Sequence, residues 1–154
     1  MKKLLFCFPL LMLLWQCTLS ASQEASLNSS LSKYIQARNE CQVVGLVGFT
    51  YPELVKDYKN QGDSVFQQKF DCENNREYYY AIQNATLRET MKQDKIIHVL
   101  YEFDGYGEQE DEYLKRNFQL VAISENDGEN WFFISRTDYN NDSLCKNMER
   151  LIKN

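Results

Sequence analysis

The apolar residues of this chain change their spacing after Phe70, and that change constrains the fold more than any other feature. Up to Phe70 they recur at helical intervals; from Arg76 onward they alternate. Leu27, Leu31, Tyr34 and Ile35 fall on one face of a helix over 27–38. Val43, Val44, Leu46 and Val47 form a short apolar stretch. Thr50 and Glu53 have capping-box spacing, with Pro52 in the first turn. A helix is expected there, presenting Leu54, Val55 and Tyr58, until Gly62-Asp63 breaks it. Ser64 and Gln67 repeat the capping pattern ahead of Val65, Phe66 and Phe70.

Four strands are then expected, over 76–87, 96–103, 114–124 and 131–135. In the second, Ile97, Val99, Tyr101 and Phe103 share one face and Ile96, His98, Leu100 and Glu102 the other. Asp104-Gly105-Tyr106-Gly107 is expected to end that strand as a turn, and Asn126-Asp127-Gly128 to make a tight hairpin. From Ser143 a terminal helix would present Leu144, Met148, Leu151 and Ile152. Helices first and hairpin-linked strands later predict an α+β fold on an antiparallel sheet of about four strands.

The N-terminal segment has its own logic. Lys2 and Lys3 precede an apolar run from Leu4 to Trp15. Twelve residues fall short of the twenty or so a membrane-spanning helix needs, but match the core of a signal peptide. Ser20, Ala21 and Ser22 supply small residues for cleavage, so residues 1–22 are expected to be removed and the protein to be periplasmic or secreted, without a membrane span after processing. Cys17 raises the question of lipid anchoring, but Trp15 and Gln16 occupy the positions where a lipobox has small residues. The chain carries a formal charge of −5, which excludes the basic footprint of a nucleic-acid binder.

Outside that segment the cysteines are Cys41, Cys72 and Cys145, so at most one internal disulfide can form. Four antiparallel strands in series bring the start of the first and the end of the fourth to one end. This favours Cys72–Cys145 and leaves Cys41 as a buried thiol. No Cys-x-x-Cys occurs and His98 is the only histidine, so neither a metal site nor a cofactor is implied. The acidic run Glu108, Glu110, Asp111, Glu112 lacks the ligand alternation of a calcium loop and is expected to be solvated. Tyr78, Tyr80 and Tyr101 could donate hydrogen bonds in a pocket, but only Glu102 and Asp104 offer nearby strand carboxylates. No catalytic set emerges. Tyr80, His98, Tyr101 and Trp131 are the candidate ligand contacts, and the outer aromatic pair of the last strand is either a second packed layer or a binding surface.

Two segments resemble a known family. Phe49-Thr50-Tyr51-Pro52-Glu53-Leu54-Val55 resembles a Thr-Tyr-Pro-x-Leu-(Val/Ile) motif, and the run from Leu120 through Ser124-Glu125-Asn126-Asp127-Gly128-Glu129-Asn130-Trp131 to Ile134 resembles a second, longer one. Both recur in small exported bacterial proteins similar to the nuclear-transport-factor-2-like (cystatin-like, ketosteroid-isomerase-like) superfamily. The resemblance covers roughly residues 27–136. It implies a strongly curved sheet closed on its hollow side by the leading helices, a cone around an apolar pocket. The expected organisation is therefore a signal peptide over 1–22, a cone-like domain over 23–136 and a helical extension over 137–154. The expected function is non-catalytic binding of a small apolar ligand, a peptide or a partner protein. The alternatives are an enzyme using Tyr/carboxylate acid–base chemistry on a small hydrophobic substrate, and a homodimeric structural or inhibitor protein.

Overall fold

A computed structural model describes residues 18–72, 81–109 and 112–141. Four helices come first: α1 (Ala21–Asn39), α2 (Val43–Phe49), α3 (Pro52–Gln61) and α4 (Asp63–Phe70). Strands β1 (Ala81–Gln93), β2 (Ile96–Gln109), β3 (Glu112–Ser124) and β4 (Phe132–Ser135) follow, and α5 (Arg136–Asn141) closes the order. The sheet is an antiparallel meander, β1-β2-β3-β4.

α1 starts where its chemistry dictates. The Ser20 side chain accepts from the Gln23 N–H at 3.3 Å, and the Gln23 side chain accepts from the Ser20 N–H at 2.9 Å. This reciprocal pair satisfies two N-terminal donors that the helix itself leaves over. Leu27, Leu31, Tyr34 and Ala37 then form its buried stripe. At the other end Asn39 accepts from the Ile82 N–H at 3.0 Å and donates to the Ile82 carbonyl at 3.1 Å, tying the helix to β1.

The two anticipated capping boxes are not made. Thr50 Oγ1 instead donates to the Leu46 carbonyl at 2.7 Å, closing the C-terminus of α2, and Tyr51 takes the N-cap position of α3. α4 starts at Asp63 behind Gly62, whose φ of 116° is open to glycine and strained for other residues. In both places the chain reverses so tightly that the hydroxyl residue belongs to the preceding helix or falls inside the next.

Face assignments follow from register. Tyr34 of α1 stacks on Phe133 of β4 at 4.8 Å between ring centroids. Phe133 pairs with Ala122, and Ala122 with Val99. Ile97, Val99, Tyr101 and Phe103 therefore line the helix side, and all are buried. Burying each such side chain contributes about 1.5–3 kcal/mol before entropy is charged against it. The opposite face carries His98, Val121, Ile123 and Ile134, also buried, with Tyr139 of α5 against His98. The outer residues of the last strand thus form a second packed layer.

Three expectations are corrected. Asp104–Gly107 is not a turn: β2 continues to Gln109, and Asp104 to Gly107 pair with Asn117 to Leu114. Continuous pairing with β3 keeps the backbone extended through Gly105 and Gly107. The disulfide joins Cys41 to Cys72, with Cα atoms 5.8 Å apart, rather than Cys72 to Cys145. Helix α4 returns the chain to the α1–α2 junction before the sheet begins; Cys145 and the terminal helix expected from Ser143 lie outside the described residues. Lastly, the sheet is not strongly curled, so no cone forms. Sheet curvature is built with bulges. The central β2–β3 pair keeps one register from Ile97↔Ser124 to Gln109↔Glu112, and the register shifts fall in the edge strand β1.

Candidate functional site

Among the described residues, the ligand contacts anticipated from sequence do not all share one face of the sheet. Tyr80 lies outside the described residues. His98 and Tyr101 are three apart on one strand, so alternation puts them on opposite faces. His98 is wholly buried, its Nδ1 2.9 Å from the Tyr139 hydroxyl. Tyr101 is buried on the helix side, where burial, and secondarily the negative charge of Glu24, push its phenol pKa up. Trp131 is buried in the β3–β4 connection and donates its indole N–H to the Gly128 carbonyl at 3.0 Å.

A different set of residues meets at the corner where α1, α3 and α4 approach the β4 end of the sheet. A cleft of about 80 Å³ is lined there by Tyr34, Tyr58, Phe70, Phe118 and Phe133, with Arg38, Lys69 and Asp138 among its polar groups. Each element places its side chain for a local reason. Tyr34 and Arg38 are one helical turn apart on α1. Tyr58 ends the apolar stripe of α3 and packs edge-on against Phe70, the last residue of α4, at 6.0 Å. The Arg38 guanidinium lies 4.6 Å above the Phe118 ring, and the Lys69 ammonium 5.1 Å from the Tyr58 ring.

The carboxylate is already held. Lys69 Nζ is 3.4 Å from Asp138 Oδ1. Ser135 Oγ donates to Asp138 Oδ2 at 2.6 Å and accepts from the Asp138 N–H at 3.0 Å. Asp138 thus closes the first turn of α5 and anchors Lys69 at the lip. An open recess of about 430 Å³ adjoins, sharing Phe118 and Ser135 with the cleft and adding Glu102, Gln119, Arg136 and Thr137. Glu102 is paired with Arg88 at 2.6 Å.

Sequence reasoning missed this corner because its residues come from seven elements and share no motif. The one available signal was the pair Tyr34 and Arg38, an aromatic and a cation on a single helical face. The arrangement can grip an apolar or aromatic group on its rings and a negative group at Arg38 and Lys69. Among the described residues no three His, Cys, Asp or Glu side chains gather to hold a metal ion, and no helix is long and apolar enough to cross a membrane. The chain matches no family model, no curated protein and no solved structure.

Proposed function

We propose that this chain is an exported, non-catalytic binding module of the nuclear-transport-factor-2-like kind, and that its ligand enters at the β4–α5 corner rather than inside a cone. The carrying observation is the aromatic cleft with Arg38 and Lys69 at its edge. Its 80 Å³ is well under the roughly 300 Å³ at which pockets enclose a drug-sized ligand. It suits the end of a molecule, with the remainder lying in the adjoining recess. An elongated apolar or aromatic carboxylate fits both halves. The helices-then-meander order supports the family reading, the disulfide supports an oxidising compartment, and Lys2-Lys3 ahead of the apolar run Leu4 to Trp15 supports export.

Acid–base catalysis gains less support. The described Tyr–carboxylate contacts join Tyr51 to Glu125 at 2.7 Å and Tyr106 to Asp104 at 3.5 Å, and none of these residues lines the cleft.

The test is a thermal-shift panel of aliphatic and aromatic carboxylates, with the matching alcohols as controls. A carboxylate at about a hundredfold over its Kd should raise Tm by roughly 8 °C, and Arg38→Ala should abolish most of that rise. Equal shifts with the alcohols, or shifts unchanged in Arg38→Ala, would remove the corner as the site.

A further inference from the structure

The sheet's edges are treated unequally. The outer edge of β1 is broken by register shifts between Gln83 and Thr86 and between Leu87 and Glu89, with Asn84 at φ 53°. Such irregularities stop a strand from templating another. The outer edge of β4 is occupied by the chain itself: Thr50 bridges Phe133, and the Tyr51 N–H donates to the Phe133 carbonyl at 3.2 Å. β3 is different. It pairs with β4 only from Leu120 to Ile123, yet runs back to Glu112 in unbroken register with β2. Among the described residues nothing pairs with the β4-side edge of 112–119. Every second residue there turns its N–H and C=O outward.

We propose that this edge pairs antiparallel with the same edge of a second copy of the chain, about a two-fold axis at Leu114. Two four-stranded sheets would thereby join into one. The sequence selects the occupant. Asp111-Glu112-Tyr113-Leu114-Lys115-Arg116 is acidic before Leu114 and basic after it. Antiparallel self-pairing about Leu114 sets Glu112 opposite Arg116 of the partner subunit, and Arg116 opposite the partner's Glu112. Opposite charges at directly facing positions favour a sheet pairing, and like charges oppose it. A two-fold makes every such match twice. Within their own sheet Glu112 faces Gln109 and Arg116 faces Gly105, both uncharged. The pairing centres on Leu114 at the hairpin end, away from Arg38 and Lys69, while Phe118 and Gln119 at its far margin also line the recess.

Sedimentation velocity on the purified protein, disulfide intact, over roughly 1–100 µM tests it. A dimer is expected at low salt and should weaken as salt rises. Glu112→Arg and Arg116→Glu should each weaken dimerisation by about tenfold or more. The combined exchange should restore it to within about threefold, because the pairs re-form in reverse order. Circular dichroism confirms that each variant is folded. A monomer at every concentration overturns the proposal. So does a dimer that neither single exchange weakens, or a double exchange no tighter than the singles.

Discussion

Asp127 shows how one turn residue can carry more than a turn. It and Gly128 have φ values of 59° and 86°, the two successive left-handed residues of a tight Asp-Gly turn, which here sits inside the longer connection from Ser124 to Phe132 rather than joining the strands directly. That conformation was legible, because it depends on two adjacent residue types. The use made of it was not. The Gln23 amide donates to Asp127 Oδ1 at 2.8 Å and to the Asp127 carbonyl at 3.0 Å, across 104 positions of sequence. Lys92 donates to the same Oδ1 at 2.8 Å. A Cβ on residue 128 would come within 2.7 Å of Gln23 Cγ, so the missing side chain also lets the helix approach. The Lys92 hydrogen bond and charge, with help from Lys95 and Gln23, hold the Asp127 carboxyl below the usual aspartate value. A carboxyl depressed in the folded state adds stability that is present above its unfolded pKa and lost as pH falls through the folded one. Melting temperature followed from pH 6 downward should therefore show wild type more stable than Asp127→Asn near neutrality. The difference should shrink once pH drops below about 4. A constant gap across that range would mean that the carboxylate's charge plays no part.

At the scale of elements, local signals were sound where one face or one turn sufficed and failed where the partner was remote. The buried stripe of α1 and the alternation of β2 were both readable, since each is a repeat within one segment. Asp104–Gly107 has turn composition, yet pairing with β3 keeps it extended; cross-strand partners outweigh a local preference for reversal. The disulfide was misjudged for a related reason: its position depends on how four helices fold back, which strand counting does not reveal. Cys41–Cys72 closes a 31-residue separation between the end of α1 and the end of α4. Chain-entropy reasoning gives such a link about 3–4 kcal/mol. Urea unfolding with and without reductant should show that loss, and Cys41→Ala should reproduce it without reductant. Indistinguishable unfolding curves would mean the bond adds nothing to the folded state. Because the link lies wholly in the helical layer, reduction should loosen α2 and α4 before the β2–β3 pair, a sequence that hydrogen exchange can resolve.

For the whole molecule, the decisive element is the short α5. Arg136-Thr137-Asp138-Tyr139-Asn140-Asn141 has no apolar period, and nothing in it announces a core residue. Yet Tyr139 is wholly buried, its ring 5.6 Å from His98 and nearly perpendicular to it, with the Arg136 guanidinium 5.3 Å from the ring. By covering His98 on the face shared with Val121, Ile123 and Ile134, it makes a two-sided sheet of what would otherwise be one apolar face open to water. That explains why His98 is wholly buried, and why the corner cleft lies at the margin of the sheet rather than over its centre. Tyr139→Ala should cost about 3–5 kcal/mol, the range for removing a buried aromatic ring. Tyr139→Phe keeps the ring and loses the His98 contact, so it should cost about 1 kcal/mol. Urea titration gives both numbers, and dye binding to exposed apolar surface should rise only in the alanine variant. Equal losses in the two would locate the contribution in the hydroxyl. Negligible losses in both would mean that the sheet's far face is held by something other than α5, and would reopen that face as a docking surface.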